Sequence, residues 1–136
     1  MPSEEEVIAN ILIGEAVGDG PEGMMMVRDV GVTRSRAQKK SLYEILTAPK
    51  QFSAYGRKDL SEFAAKQPLI LRNLALELAR EGMRPDYQPT YNAPNYVTTE
   101  LHQRRHEPTV PSWIREMDVV GTVGRHTLLA PRKRKK

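Results

Sequence analysis

The stretch "ILIGEAVGDGPEGMMMV", residues 11 to 27, decides how this chain is read. A run of apolar helix formers closes on Glu15, and a turn of Gly18, Asp19, Gly20 and Pro21 follows at once. Upstream, Ser3 and Glu6 have the spacing of a capping box, and Glu4, Glu5 and Glu6 suit the positive end of a helix dipole. These signals predict a helix over residues 3 to 16. Its apolar positions are Val7, Ile8, Ile11 and Leu12, and Glu15 follows three places after Leu12 and four after Ile11. Helical spacing puts that carboxylate on the stripe that faces the core. Apolar surroundings disfavour an ionised carboxylate, so a glutamate there keeps its proton closer to neutrality and suits a general acid. A helix-end glutamate that swings out to solvent is the plainer alternative.

Past the turn, Pro21 fits the first position of a second helix, with Met24, Met26, Val27 and Val30 as its apolar side up to about Thr33. Ser41 and Glu44 form another capping box, opening the short helix "SLYEILT" that Pro49 stops. Residues 59 to 66 read as helical, and Pro68 restarts a helix that runs to Gly82, a natural C-cap. The proline-rich sequence from 83 to 112 reads as loops, and "MDVVGTVGRHTLLA", 117 to 130, as a short β-ribbon. No internal repeat or long linker divides the chain. The expectation is one mainly helical (α+β) domain over residues 1–130, followed by a basic tail, 131–136.

Bulk composition narrows the classes. A chain of 136 residues suits one domain, and 39% hydrophobic with 28% charged residues excludes a disordered reading. No apolar run approaches the roughly 18 to 20 residues that span a bilayer. The absence of cysteine excludes disulfides and thiolate metal sites. The acidic start "MPSEEEV" lacks the basic and apolar pattern of a secretory signal. Net charge is +4, yet "PRKRKK" alone supplies five positive charges, which leaves the rest at about −1. The basicity therefore belongs to the tail, which suits any polyanion, including nucleic acid, anionic lipid and acidic wall polymers, or acts as a solubilising end.

Two loops carry ligand-binding residue types. "QFSAY", 51 to 55, and "TYNAPNY", 90 to 96, mix side-chain donors and acceptors with aromatic rings, which suits a sugar; Phe52 serves equally as a core plug. His102 and His106 have metal-ligand spacing if helical, with Glu100 and Glu107 beside them. Arg104 and Arg105 between them and Pro108 just after argue against a metal, and none is expected. His126 stands at a turn in the final ribbon, where a structural histidine is the default.

Six segments in order carry a resemblance. They are "IGEAVGDGPEG" (13 to 23), "VRDVGVTR" (27 to 34), "QFS" (51 to 53), "TYNAP" (90 to 94), "SW" (112 to 113) and "VGRHTLL" (123 to 129). They resemble the SleB-type cell-wall hydrolase family, which includes the spore-cortex-lytic enzymes and related phage and bacterial muralytic domains. That family shows "YGEARGE…EGQ", "VAVVLNRV", "QFS", a "Y-F-N-P" loop, "SW" and "IGNHVFY". The chain departs from the pattern at Val17 (Arg in the family), Asp19 (Glu), Thr33 (Asn), and Leu128 and Leu129 (Phe-Tyr).

The resemblance implies a compact lysozyme-like domain, no cofactor, and peptidoglycan glycan strands as substrate. It carries the family's catalytic glutamate onto Glu15. It places Gln51, Phe52, Ser53 and Tyr91 at motif positions that line or support the glycan groove. Asn92, Ser112, Trp113 and His126 fall on such positions too. The implied reaction is cleavage of the β-1,4 bond from N-acetylmuramic acid to N-acetylglucosamine by a lytic transglycosylase, with Glu15 acting as acid and then base. Hydrolysis by a muramidase of the same fold is the alternative, with Asp19 or Glu22 orienting water. An alternative of another class is a small basic nucleic-acid-binding protein using "PRKRKK" and Arg104-Arg105; no recognition-helix or zinc-finger pattern accompanies it, so no specific nucleic acid is expected. Without a signal peptide or wall-binding repeats, the expected setting is a phage lysin made in the host cytoplasm. It acts as an endolysin on the wall or within the virion among other particle components, its tail meeting anionic envelope polymers.

Overall fold

Helix α1 (Glu4–Glu15) starts where Ser3 accepts the Glu6 amide at 3.2 Å, and its Ile8, Ile11 and Leu12 are wholly buried. Burying each such side chain contributes about 1.5–3 kcal/mol, so this stripe anchors the domain. The computed structural model describes residues 2–16, 18–49 and 51–132. Around α1 pack α2 (Gly20–Gln38), α3 (Leu42–Thr47), a 3-10 turn (Ser53–Gly56), α4 (Leu60–Ala65) and α5 (Leu69–Met83).

Two helix ends differ from expectation. α2 passes Thr33 and stops where Lys39 turns left-handed at φ 56°. Its last turns, "RSRAQ", carry no apolar period, which is why spacing alone ended it early. Gly82 lies inside α5 and is not its cap: a Cβ there would come within 2.9 Å of Arg28 Cγ, so the bare glycine makes room for an α2 side chain. The box at the start of α3 forms in full, Glu44 N to Ser41 Oγ at 3.1 Å and Ser41 N to Glu44 Oε1 at 3.4 Å.

The C-terminal part holds β1 (Asn95–Thr98), α6 (Thr99–Gln103), α7 (Ser112–Glu116), β2 (Met117–Val123) and β3 (His126–Pro131). The expected ribbon is the β2–β3 hairpin, and β1, from sequence read as loop, makes it a three-stranded antiparallel sheet of order β1–β3–β2. Tyr96 pairs opposite Leu128 and Thr98 opposite His126, while β2 bulges between Val119 and Gly121. Neighbouring strand residues point to opposite faces. Leu128 accordingly enters the main core and Leu129 a smaller one with Val110 and Ile114. β3 runs through Pro131, one residue into the segment expected as a tail. Residues 133–136 of that tail, and Val17, lie outside the described residues. α6 ends at Gln103, so His102 and His106 share no helix face. Among the described residues, no helix is long and apolar enough to cross a membrane.

Candidate active site

Glu15 ends α1 half-buried, and its carboxylate accepts hydrogen bonds from Ser53 Oγ on Oε2 and from Tyr96 Oη on Oε1, each at 3.3 Å. These contacts are hydroxyls, where the core stripe predicts an apolar wall. The helix stops at this residue, and the 3-10 turn and β1 reach its end. Gly14 lets the turn approach. A Cβ there would lie 2.8 Å from Ala54 Cβ and 2.8 Å from Leu60 Cδ1. The bare backbone at Gly14 thus seats the turn, and Ser53 at its start meets the next residue of α1.

Tyr96, half-buried like Glu15, packs against the core. Desolvation first, and the Glu15 carboxylate second, hold its phenol far above the ordinary value of 10. The group is therefore a permanent donor to Glu15 in any ordinary buffer. Its ring lies 6.4 Å from that of Phe52, and His126 meets it edge-on at 5.3 Å.

The turn after α1 supplies a second carboxylate. Gly18 and Gly20 take φ of 85° and 67°, left-handed values that glycine adopts without strain, and Asp19 between them turns its side chain inward to 5% exposure. Arg125 Nε donates to Asp19 Oδ1 at 3.2 Å, and His126 Nδ1 lies 3.5 Å from Asp19 Oδ2. That His126 nitrogen is buried and has no hydrogen-bond partner among the described residues. A Cβ on Gly23 would come within 2.5 Å of Asp19 Cβ, so the first turn of α2 leaves Asp19 its place.

Glu15 and Asp19 line an open cleft of about 460 Å³ together with Thr98, Thr99 and Glu100. The hairpin tip, Arg125 and His126, completes the lining. The tip is pinned by Thr99 N donating to Arg125 O at 2.8 Å and by a 2.9 Å bond between the Thr99 and Thr127 hydroxyls. A larger groove of about 640 Å³ lies between α1, α4 and α5, but it gathers no comparable set of titratable side chains.

Two arginines hold the loops, Arg28 fully buried and Arg34 half-buried. Arg34 donates to Pro94 O, to Gln51 Oε1 at 3.2 Å and to Asn95 Oδ1 at 3.1 Å, with its guanidinium 5.1 Å above the Phe52 ring. Burial holds its pKa below the ordinary arginine value. Asp29, fully buried, accepts from Thr90 N at 2.9 Å and Tyr91 N at 3.0 Å on one oxygen. Its other oxygen accepts from Arg28 Nε at 3.0 Å and Tyr87 Oη at 2.6 Å, and Arg28 pairs with Glu81 at 2.8 Å.

The predicted site residues therefore divide. Glu15, Ser53 and His126 come together at or beside the cleft. Gln51 docks its loop through Arg34, and Phe52, 3% exposed, is packed into the core. Tyr91 packs half-buried against the core, and Asn92 is exposed beside it. Ser112 and Trp113 sit on α7, whose Ile114 enters the smaller core, and neither lines the cleft. From the sequence, Tyr96 appears only as one ring of the 90–96 loop, and Arg34, Asp29 and Arg125 are not singled out. Only Arg28-Asp29 left a usable signal, an adjacent charged pair within an apolar helix.

Two solved structures share this architecture. The catalytic domain of the germination-specific lytic transglycosylase SleB from Bacillus anthracis is 17% identical, with a TM-score of 0.64 over 93% of each chain. The catalytic domain of the Bacillus cereus SleB protein is 16% identical, with a TM-score of 0.59 over 93% of this chain and 88% of that one. The chain has the SleB catalytic-domain fold. At these identities the likeness is one of fold. No family model and no curated protein matches the chain. Within the SleB fold, the helix end bearing Glu15, the 3-10 turn and the three-stranded sheet frame one cleft.

Proposed function

We propose that the chain cleaves the β-1,4 bond from N-acetylmuramic acid to N-acetylglucosamine in peptidoglycan, as a lytic transglycosylase. Protonated Glu15 gives its proton to the glycosidic oxygen as the C1–O bond breaks and an oxocarbenium-like state develops. The resulting carboxylate then takes the proton of the muramic acid C6 hydroxyl, whose oxygen bonds to C1. A 1,6-anhydro end forms, no water is consumed, and Glu15 recovers its proton.

The observation that supports this best is the pair of neutral donors, Ser53 and Tyr96, on a carboxylate that lines an open cleft and makes no ion pair among the described residues. The two hydroxyls orient the carboxylate in the cleft for the step in which it takes the C6 proton. Hydrolysis is the second reading, favoured by Asp19 in the same cleft. Asp19 is poorly suited to activate water, because one oxygen binds Arg125 and the other faces His126. Glu22 is exposed on α2 and does not line the cleft.

The test is digestion of purified peptidoglycan by the wild-type chain and by Glu15→Gln, with released muropeptides weighed by mass spectrometry. Anhydro-muramic products from wild type, and none from the variant, are expected. Reducing ends, heavier by one water, would replace transglycosylation with hydrolysis. No release from walls of several types would overturn the reading.

A further inference from the structure

The geometry points to Arg125 as the anion-recognising residue of the cleft, binding a carboxylate on the muramyl substituent of the glycan strand. This rests on the peptidoglycan reading above and names which strands the cleft selects. The shared ligand chemistry is a carboxylate. Its source is the stem peptide where one is attached and the lactyl group where it has been removed.

Charge is the first reason. Three carboxylates line the cleft, Glu15, Asp19 and Glu100, and Arg125 is its one arginine or lysine among the described residues. An acidic strand entering such a cleft meets like charge unless a cation faces it. Orientation is the second. Arg125 is 72% exposed, yet its Nε is tied to Asp19, whose own side chain is only 5% exposed. The tether uses one edge of the guanidinium and leaves Nη1 and Nη2 without a hydrogen bond among the described residues. That is the end-on fork that receives a carboxylate through two parallel bonds.

Rigidity is the third reason. Gly124 takes a left-handed φ of 53° at the hairpin tip, and the Arg125 carbonyl is held by the Thr99 amide at the start of α6. A guanidinium held at its backbone and at Nε loses little further freedom on binding. Selection follows from this: strands bearing carboxylates bind, and the uncharged β-1,4 polymer of N-acetylglucosamine binds weakly.

Calorimetric titration tests this without requiring turnover. Glu15→Gln, alone and combined with Arg125→Gln or Arg125→Lys, is titrated with three soluble probes. These are peptide-bearing N-acetylglucosaminyl-muramyl tetrasaccharide, the same sugar stripped to its lactyl carboxylate, and the peptide-bearing form with all carboxyls amidated. Arg125→Gln is expected to raise Kd about tenfold for a carboxylate-bearing probe and to leave the amidated one unchanged, with Arg125→Lys between. A loss confined to the peptide-bearing or to the stripped probe identifies the source. An equal change on charged and amidated probes, no change on any, or no binding of any overturns the assignment. Cleavage of sacculi by the wild-type chain is scored separately and reads the reaction, so failure of one is told from failure of the other.

Discussion

Tyr96 Oη donates to Glu15 Oε1 across 3.3 Å, joining the sheet to the end of α1 through residues 81 positions apart. The phenol stays protonated because burial and the neighbouring carboxylate both oppose its ionisation. It is thus a fixed donor aimed at the one cleft carboxylate proposed to move a proton.

Replacing Tyr96 by Phe keeps the ring against Phe52 and His126 and removes only that donor. The expected result is a fall in kcat of about tenfold to a hundredfold on purified sacculi, with a melting temperature close to wild type. Initial rates and a thermal melt check it, and an unchanged kcat would remove Tyr96 from the site.

Alkaline stability follows from the same shift. Tyr96 and Tyr87 are both held above the ordinary 10, Tyr87 at about 12 through burial and its bond to Asp29. A raised folded-state pKa means that the native chain keeps protons the unfolded chain releases. The contribution is therefore complete below pH 10 and is lost as pH climbs, for Tyr87 between 10 and about 12. Urea melts from about pH 8 to about pH 11 should show stability declining above 10, with a shallower decline for Tyr87→Phe.

Asp29 serves as the hub of the proline-rich loop. Asp29→Ala leaves Arg28, 1% exposed, without its buried partner and frees the Thr90 and Tyr91 amides. A loss of about 3–5 kcal/mol in urea unfolding is expected, and a smaller one for Asp29→Asn, which keeps an acceptor for the amides.

Gly14→Ala separates helix propensity from packing. Propensity alone predicts a gain of about 1 kcal/mol inside α1. The new methyl would meet Ala54 Cβ and Leu60 Cδ1 at 2.8 Å, and overpacking of that kind costs about 1–3 kcal/mol. Net destabilisation is expected, with a lower cleavage rate because Ser53 moves off Glu15. A stabilised, fully active variant would show that the 3-10 turn yields freely.

By itself the sequence determined what local physics governs. The spacing of Ile8, Ile11, Leu12 and Glu15 sets one helix face, and the Ser41 box opens α3 as read. The glycines around Asp19 make the turn, and the β2–β3 hairpin follows from its own strand pattern. Tertiary structure alone decided what sits around Glu15. β1 is four residues long, too short to show a period, and it is a strand because β3 pairs with it. Asp29 finds Tyr87, and Arg34 finds Asn95, across 58 and 61 positions of chain. Phe52 had two readings until the core claimed it, and Gln51, read as a binding residue, is held by Arg34. A buried polar group must find a partner, but which one is settled only when the whole chain has packed.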